Sequence, residues 1–226
     1  IEGYGLGLAV SDYNHDGYPD IYIANDYIAN DILYINQQNG SFKNEIDKYL
    51  SKQSKFSMGV VSEDLNHDGH NELFVLDMLP HTNYRLKKLN GDSHNSNVVN
   101  DERFNYQEQN VRNMLQLNLG NGKFQEIAYQ AGVFASDWSW TPLLEDFDLD
   151  GDKDLYITNG FPKDITDLDF INYKANQNMA LNKKQILNAI PVVKISNQFY
   201  ENLGDLEFEN STIKIKYRIL RLQMVP

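Results

Sequence analysis

Three stretches of the chain carry oxygen donors at a spacing suited to a hard cation. The first, "DYNHDGYPD", holds Asp12, Asn14, Asp16 and Asp20 around Gly17. The second, "DLNHDGHNE", holds Asp64, Asn66, Asp68 and Glu72 around Gly69; the third, "DFDLDGDKD", holds Asp146, Asp148, Asp150 and Asp154 around Gly151. Side chains at positions 1, 3 and 5 converge only if the backbone curls, and glycine at position 6 permits that turn. The position-7 carbonyls of Tyr18, His70 and Asp152 complete the candidate ligand sets. Such an all-oxygen ring favours calcium over zinc, which prefers His or Cys, and over magnesium, which demands stricter octahedral geometry. About three calcium ions are expected.

An EF-hand loop begins the same way but needs a bidentate Glu at position 12 between two helices. Position 12 here is Ile23, Val75 or Ile157, so that alternative fails. His15 and His67, at position 4, are expected to face solvent. The plainer explanation is that Asp, Asn and Gly make good turns by bonding their own backbone. Against it, two like charges ~4 Å apart repel by roughly 4 kcal/mol at an effective dielectric of ~20, and each loop gathers at least three carboxylates. A turn has no need of that repulsion, whereas a calcium site does. Three such ions would halve the formal charge of -12.

The elements that must position these loops repeat with them. Before each comes a short apolar run ending in an acid: "GLGLAVSD", "FSMGVVSED" or "WSWTPLLED". After each comes an alternating strand, "DIYIAND", "ELFVLDM" or "DLYITNG". A second motif then follows: "NDILYINQQNGSF", "RNMLQLNLGNGKF" or "NQFYENLGDLEF". It reads as strand, turn, strand, with Asn39-Gly40, Asn121-Gly122 and Gly204-Asp205 at the turns. One unit is therefore four antiparallel strands, the make-up of a propeller blade. The predicted fold is all-β: a partial β-propeller of about three blades over 1–210. The blades span about 1–50, 56–127 and 138–210.

Loop starts lie 52 residues apart (Asp12, Asp64) and then 82 (Asp64, Asp146), so insertions interrupt the period. The first, 79–111, reads as a long loop with a short helical turn. The second, 161–195, contains "NKKQILNAIP", a short helix ended by Pro191. Insertions of this kind fall on one face of a repeat array, often the binding face. Residues 211–226 break the pattern: four Lys or Arg and no acid. A diverged strand, a non-native end and a basic partner-binding strand all remain open for that tail.

The composition sets outer limits. With 226 residues, 41% of them hydrophobic, the chain can bury one ordinary core or two small ones. No run approaches the ~18 apolar residues of a membrane helix, so no span is expected. Absence of cysteine rules out disulfides and thiolate zinc. A charge of -12 disfavours nucleic-acid binding, which calls for clustered Lys and Arg. No basic leader opens the sequence, which reads as a piece of a longer protein.

The pattern D-x-[DN]-x-D-G-x-x-[DE] followed by a hydrophobic strand resembles the FG-GAP/VCBS repeats of integrin α-subunit-like β-propellers. "GYGLGLAVSDYNHDGYPDIYIANDYIANDILYIN" and "DWSWTPLLEDFDLDGDKDLYITNG" are similar to the large bacterial surface VCBS proteins that often end in an ASPIC/UnbV domain. Literal Phe-Gly and Gly-Ala-Pro elements are missing. The resemblance implies a ring of about seven blades, of which three lie here. It also implies calcium ions that clamp loops and take no part in catalysis.

The expected function is a calcium-stabilised scaffold whose inserted loops contact a protein or glycan. Extracellular calcium modules bind at ~10⁻⁴ to 10⁻³ M, which suits an extracellular, cell-surface or periplasmic location. The alternative is a propeller-type polysaccharide lyase or hydrolase. The five His residues form no HExxH and no acid/base pair stands out, so no catalytic residue is assigned. Asp137, Trp138 and Trp140 suggest either a sugar platform or simple strand packing.

Overall fold

The repeated unit folds three times into the same local structure. A computed structural model describes residues 3–27, 29–89, 106–161, 163–176 and 183–214. The first sheet comprises β1 (Tyr4–Ser11), β2 (Asp20–Asp26), β3 (Ile32–Asn36) and β4 (Phe42–Asn44). After α1 (Ile46–Tyr49) and β5 (Gln53–Ser54), the second sheet begins with β6 (Val60–Glu63) and β7 (Glu72–Val75). An insertion carrying α2 (Asn83–Lys88) and β8 (Gln109–Asn110) follows, and β9 (Met114–Asn118) and β10 (Phe124–Glu126) complete that sheet. The third sheet is β11 (Ser139–Glu145), β12 (Asp154–Asn159), β13 (Gln198–Asn202) and β14 (Phe208–Asn210), with α3 (Leu168–Asn176) and α4 (Lys183–Ala189) inserted after β12. Within each four-stranded sheet the order follows the sequence and every pairing is antiparallel. A short parallel pair, β5 with β8, ties the first insertion back to the body.

The sheets stack through their first strands, β1 along β6 and β6 along β11. Glycine makes this approach possible. A Cβ on Gly7 would lie 2.6 Å from the carbonyl oxygen of Met58, and one on Gly59 would lie 2.3 Å from that of Trp140. Strand alternation then divides β7 between two cores. Leu73 and Val75 join Tyr22, Leu33, Ile35 and Met114 against the first sheet. Phe74, with Leu76 just past the strand, joins Leu115, Leu144, Leu155 and Ile157 against the third. Every residue of β7 is buried for this reason. The opposite side of β1 carries Tyr4, Leu6, Leu8 and Val10, all exposed.

A hydrogen bond closes each unit at the end away from its acidic loop. The residue just before the third strand accepts from an amide at or near the end of the second: Asn25 N–H to Asp31 Oδ1 (2.7 Å), Asp77 N–H to Asn113 Oδ1 (2.8 Å), and Asn159 N–H to Asn197 Oδ1 (2.9 Å). In the first unit Asp31 is fully buried, and its Oδ2 accepts from Tyr22 Oη at 2.5 Å and Ser57 Oγ at 3.0 Å. Burial pushes the Asp31 carboxyl up to about 7.

The short helix read at the end of the second insertion is present as α4, stopping before Pro191. A second helix, α3, precedes it; its start is capped by Asp167, whose Oδ1 accepts from Phe170 N at 2.9 Å. The first insertion has its helical turn, α2, capped by Thr82. Of the atypical tail 211–226, residues 215–226 lie outside the described residues.

Candidate metal centre

Each acidic loop lies between the first and second strands of a sheet and takes the same backbone course. Position 6 has the left-handed conformation at Gly17 (φ 86°), Gly69 (φ 85°) and Gly151 (φ 105°). Position 4 has it too, at His15 (φ 57°), His67 (φ 59°) and Leu149 (φ 66°), where a side chain makes it costly. Two left-handed residues in three turn the backbone amides inward. Asp12 accepts from Asp16 N at 3.1 Å and Gly17 N at 2.8 Å. Asp64 accepts from Asp68 N at 3.2 Å and Gly69 N at 2.9 Å, and Asp146 from Asp150 N and Gly151 N, both at 3.1 Å.

In the third loop positions 3 and 5 converge on position 1: ligand oxygens of Asp146, Asp148 and Asp150 all lie within 4.8 Å of one another. Asp12, Asp16 and Asp20, and likewise Asp64, Asp68 and Glu72, form no such close group among the described residues. In the first two loops Asn stands at position 3 and stays beside position 5. Asn14 Nδ2 is 3.1 Å from Asp16 Oδ2, and Asn66 Nδ2 is 3.0 Å from Asp68 Oδ2. The position-5 carboxylate also fixes residue 7 by accepting its amide: Tyr18 at 2.9 Å, His70 at 2.8 Å and Asp152 at 2.9 Å.

The ninth residue has a second task that its spacing does not reveal. Asp20 accepts from Tyr13 N (3.0 Å) and Asn36 N (2.8 Å), and Asp154 from Phe147 N (3.2 Å) and Asn202 N (2.9 Å). Glu72 accepts from Leu65 N at 2.8 Å through Oε2, and the Asn118 amide lies beside its carboxylate. Each ninth carboxylate thus brackets its loop to the end of the third strand. Sequence reasoning missed Asn36, Asn118 and Asn202, which recur at the end of each third strand.

Burial raises all three ninth carboxyls, and the loop acids add to it: Asp16 and Asp12 beside Asp20, Asp68 and Asp64 beside Glu72, Asp148 and Asp150 beside Asp154. Glu72 is the extreme case, pushed up to about 7. It is 1% exposed, and its Oε1 has no hydrogen-bond partner. A buried acceptor left empty beside two further carboxylates is what a bound cation would satisfy. The donor set therefore fits calcium.

At the opposite end of the sheets the two insertions meet. The Arg85 guanidinium holds both oxygens of Asp137, each at 3.1 Å, and also bonds Asp164. Lys88 pairs with Asp169, and Leu89 bridges to Asp167. Cavities of about 590 and 440 Å³ open there. The larger is lined by His81, Arg85, Asp137, Lys194 and Gln198, the smaller by Tyr84, Lys88, Phe170 and Tyr173. Asp137 is itself left-handed (φ 68°). Trp138 packs on Phe161, centroids 4.4 Å apart, and Trp140 donates from Nε1 to the Gly160 carbonyl at 2.7 Å.

Among the described residues no helix is long and apolar enough to cross a membrane. No curated protein matches the chain. The family described as FG-GAP-like repeat matches residues 12–75, from the first candidate ligand of loop one to the end of β7.

Proposed function

We propose that the chain is a calcium-stabilised section of an FG-GAP/VCBS-type β-propeller that works outside the cytoplasm as a binding scaffold. The observation that carries the calcium assignment is the partnerless, buried Oε1 of Glu72 beside Asp64 and Asp68. About three ions would be held by Asp12, Asn14, Asp16, Asp20 and the Tyr18 carbonyl; by Asp64, Asn66, Asp68, Glu72 and the His70 carbonyl; and by Asp146, Asp148, Asp150, Asp154 and the Asp152 carbonyl. Bound calcium supplies positive charge that relieves carboxylate repulsion; the chain's own amides and ninth acids orient the ring. Stacking of the sheets through Gly7 and Gly59 supports the propeller assignment.

The surface offered to a protein or glycan partner is the joined insertions, away from the calcium loops. Polysaccharide cleavage is the alternative. Against a role for Asp137 as its acid or base stands the Arg85 guanidinium, which occupies both oxygens. Metal analysis together with melting in calcium and in EDTA tests the proposal. At 100 times Kd each ion adds ~2.7 kcal/mol, so chelation should lower the melting temperature by several degrees. An unchanged melt with no calcium found would overturn it.

A further inference from the structure

We infer that the calcium loops are coupled into a row, each loop positioning the ligand-bearing residue of the next. The inference rests on the calcium assignment above and concerns side chains that supply no oxygen to the ligand sets.

Two contacts join loop one to loop two, and the matching positions join loop two to loop three. The first runs from position 4 of one loop to position 7 of the next. The His15 ring meets the His70 ring edge-on with centroids 4.1 Å apart, and His67 Nε2 lies 3.0 Å from Asp152 Oδ1. The second runs from the residue before one loop to position 8 of the next. Asn71 Nδ2 donates to Ser11 Oγ at 2.8 Å, and Lys153 Nζ to Glu63 Oε2 at 2.6 Å. The chemistry differs at every contact while the positions coincide.

Positions 7 and 8 flank the carbonyl assigned above as a ligand. Both side chains are therefore held by the preceding loop on either side of that carbonyl. Position 4 supplies one of the holding groups, and it sits in the left-handed conformation that the curl of its own loop imposes. An ion that tightens loop two fixes His67, and through it Asp152 in loop three. Linkage makes the effect reciprocal. His15, His67, Glu63, Asn71 and Lys153 act as positioning residues for a metal they do not touch.

Amide NMR during a calcium titration tests this, because Gly17, Gly69 and Gly151 report the three loops separately. The probing variant is His67→Asn with Glu63→Ala. Asn tolerates the left-handed conformation, and both changes lie outside loop three. The expected result is a Gly151 midpoint about fivefold higher or more, with the Gly17 midpoint, one loop further away, shifted less. With His67 intact, Glu63→Lys alone should raise the Gly151 midpoint, and adding Lys153→Glu should restore it. An unaltered Gly151 midpoint in the first variant, with its core amide spectrum preserved, would overturn the coupling. If none of the three glycines responds to calcium in the wild-type chain, the calcium assignment itself falls and the coupling with it.

Discussion

Arg85 and Asp137 form a two-pronged ion pair in which the side chain of Arg85 is 12% exposed and that of Asp137 5%. The same guanidinium bonds Asp164, so one side chain fastens the first insertion, the β10–β11 connection and the second insertion together. Arg85→Ala leaves two buried carboxylates facing each other, a change that costs about 3–5 kcal/mol. Melting should fall by roughly 10 °C. Combining Arg85→Met with Asp137→Asn and Asp164→Asn removes the unpaired charges and should recover most of the loss; calorimetry of the two variants checks both statements.

Glu72→Gln should act in opposite directions with and without calcium. In EDTA the amide relieves the burial of a carboxylate beside Asp64 and Asp68, so the variant should melt at or above the wild type. In millimolar calcium it should melt lower, having lost a charged ligand. Parallel thermal scans in the two buffers decide it, and a variant curve displaced equally in both would count against Glu72 as a ligand.

Asp31 predicts a pH dependence of definite sign. Its carboxyl is pushed up to about 7 in the fold, against ~3.9 in an unfolded chain. Between those values the folded protein holds a proton that the unfolded chain has lost, so this residue's contribution to stability falls as pH rises from about 4 to 7 and levels off above. Asp31→Asn removes that contribution, and Asn113 and Asn197 already occupy the matching place in the other two units. The melting-temperature advantage of the variant should grow from pH 5 to pH 8; a constant difference would refute the assignment.

Gly59→Ala should destabilise the chain by about 1–3 kcal/mol, because the added methyl would sit 2.3 Å from a backbone carbonyl that belongs to the next sheet. Thr141 holds the corresponding place in the third unit and is exposed. Thr141→Val should therefore change stability by no more than about 0.5 kcal/mol. Denaturant unfolding of the two variants provides the comparison.

Local features were legible in the sequence, and long-range partners were not. The four-strand unit, the curl at Gly17, Gly69 and Gly151, and α4 before Pro191 follow from period, spacing and breakers within a dozen residues. His15 and His67 do face solvent, as expected, but each also touches the next loop, and His67 lies 85 residues from Asp152. Nothing in "NHDG" announces that contact. The left-handed backbone at position 4 was missed for another reason: His signals it only weakly and Leu not at all. Helix α3 did carry a signal, Asp167 three residues before the buried Phe170, within a segment read only as insertion. Arg85 is one of three cations in α2, and nothing near it in the sequence announces Asp137, 52 residues on, or Asp164, 79 residues on.

The two-sided burial of β7 sets an order of opening. Its amides lie under one core through Leu73 and Val75 and under another through Phe74 and the adjoining Leu76, so exposing them requires both neighbouring sheets to separate. The outer sheets can each come away alone, because each meets a neighbouring sheet on one side only. Deuterium uptake should consequently reach the amides of β1 and β14 through partial openings, and those of β7 only through global unfolding.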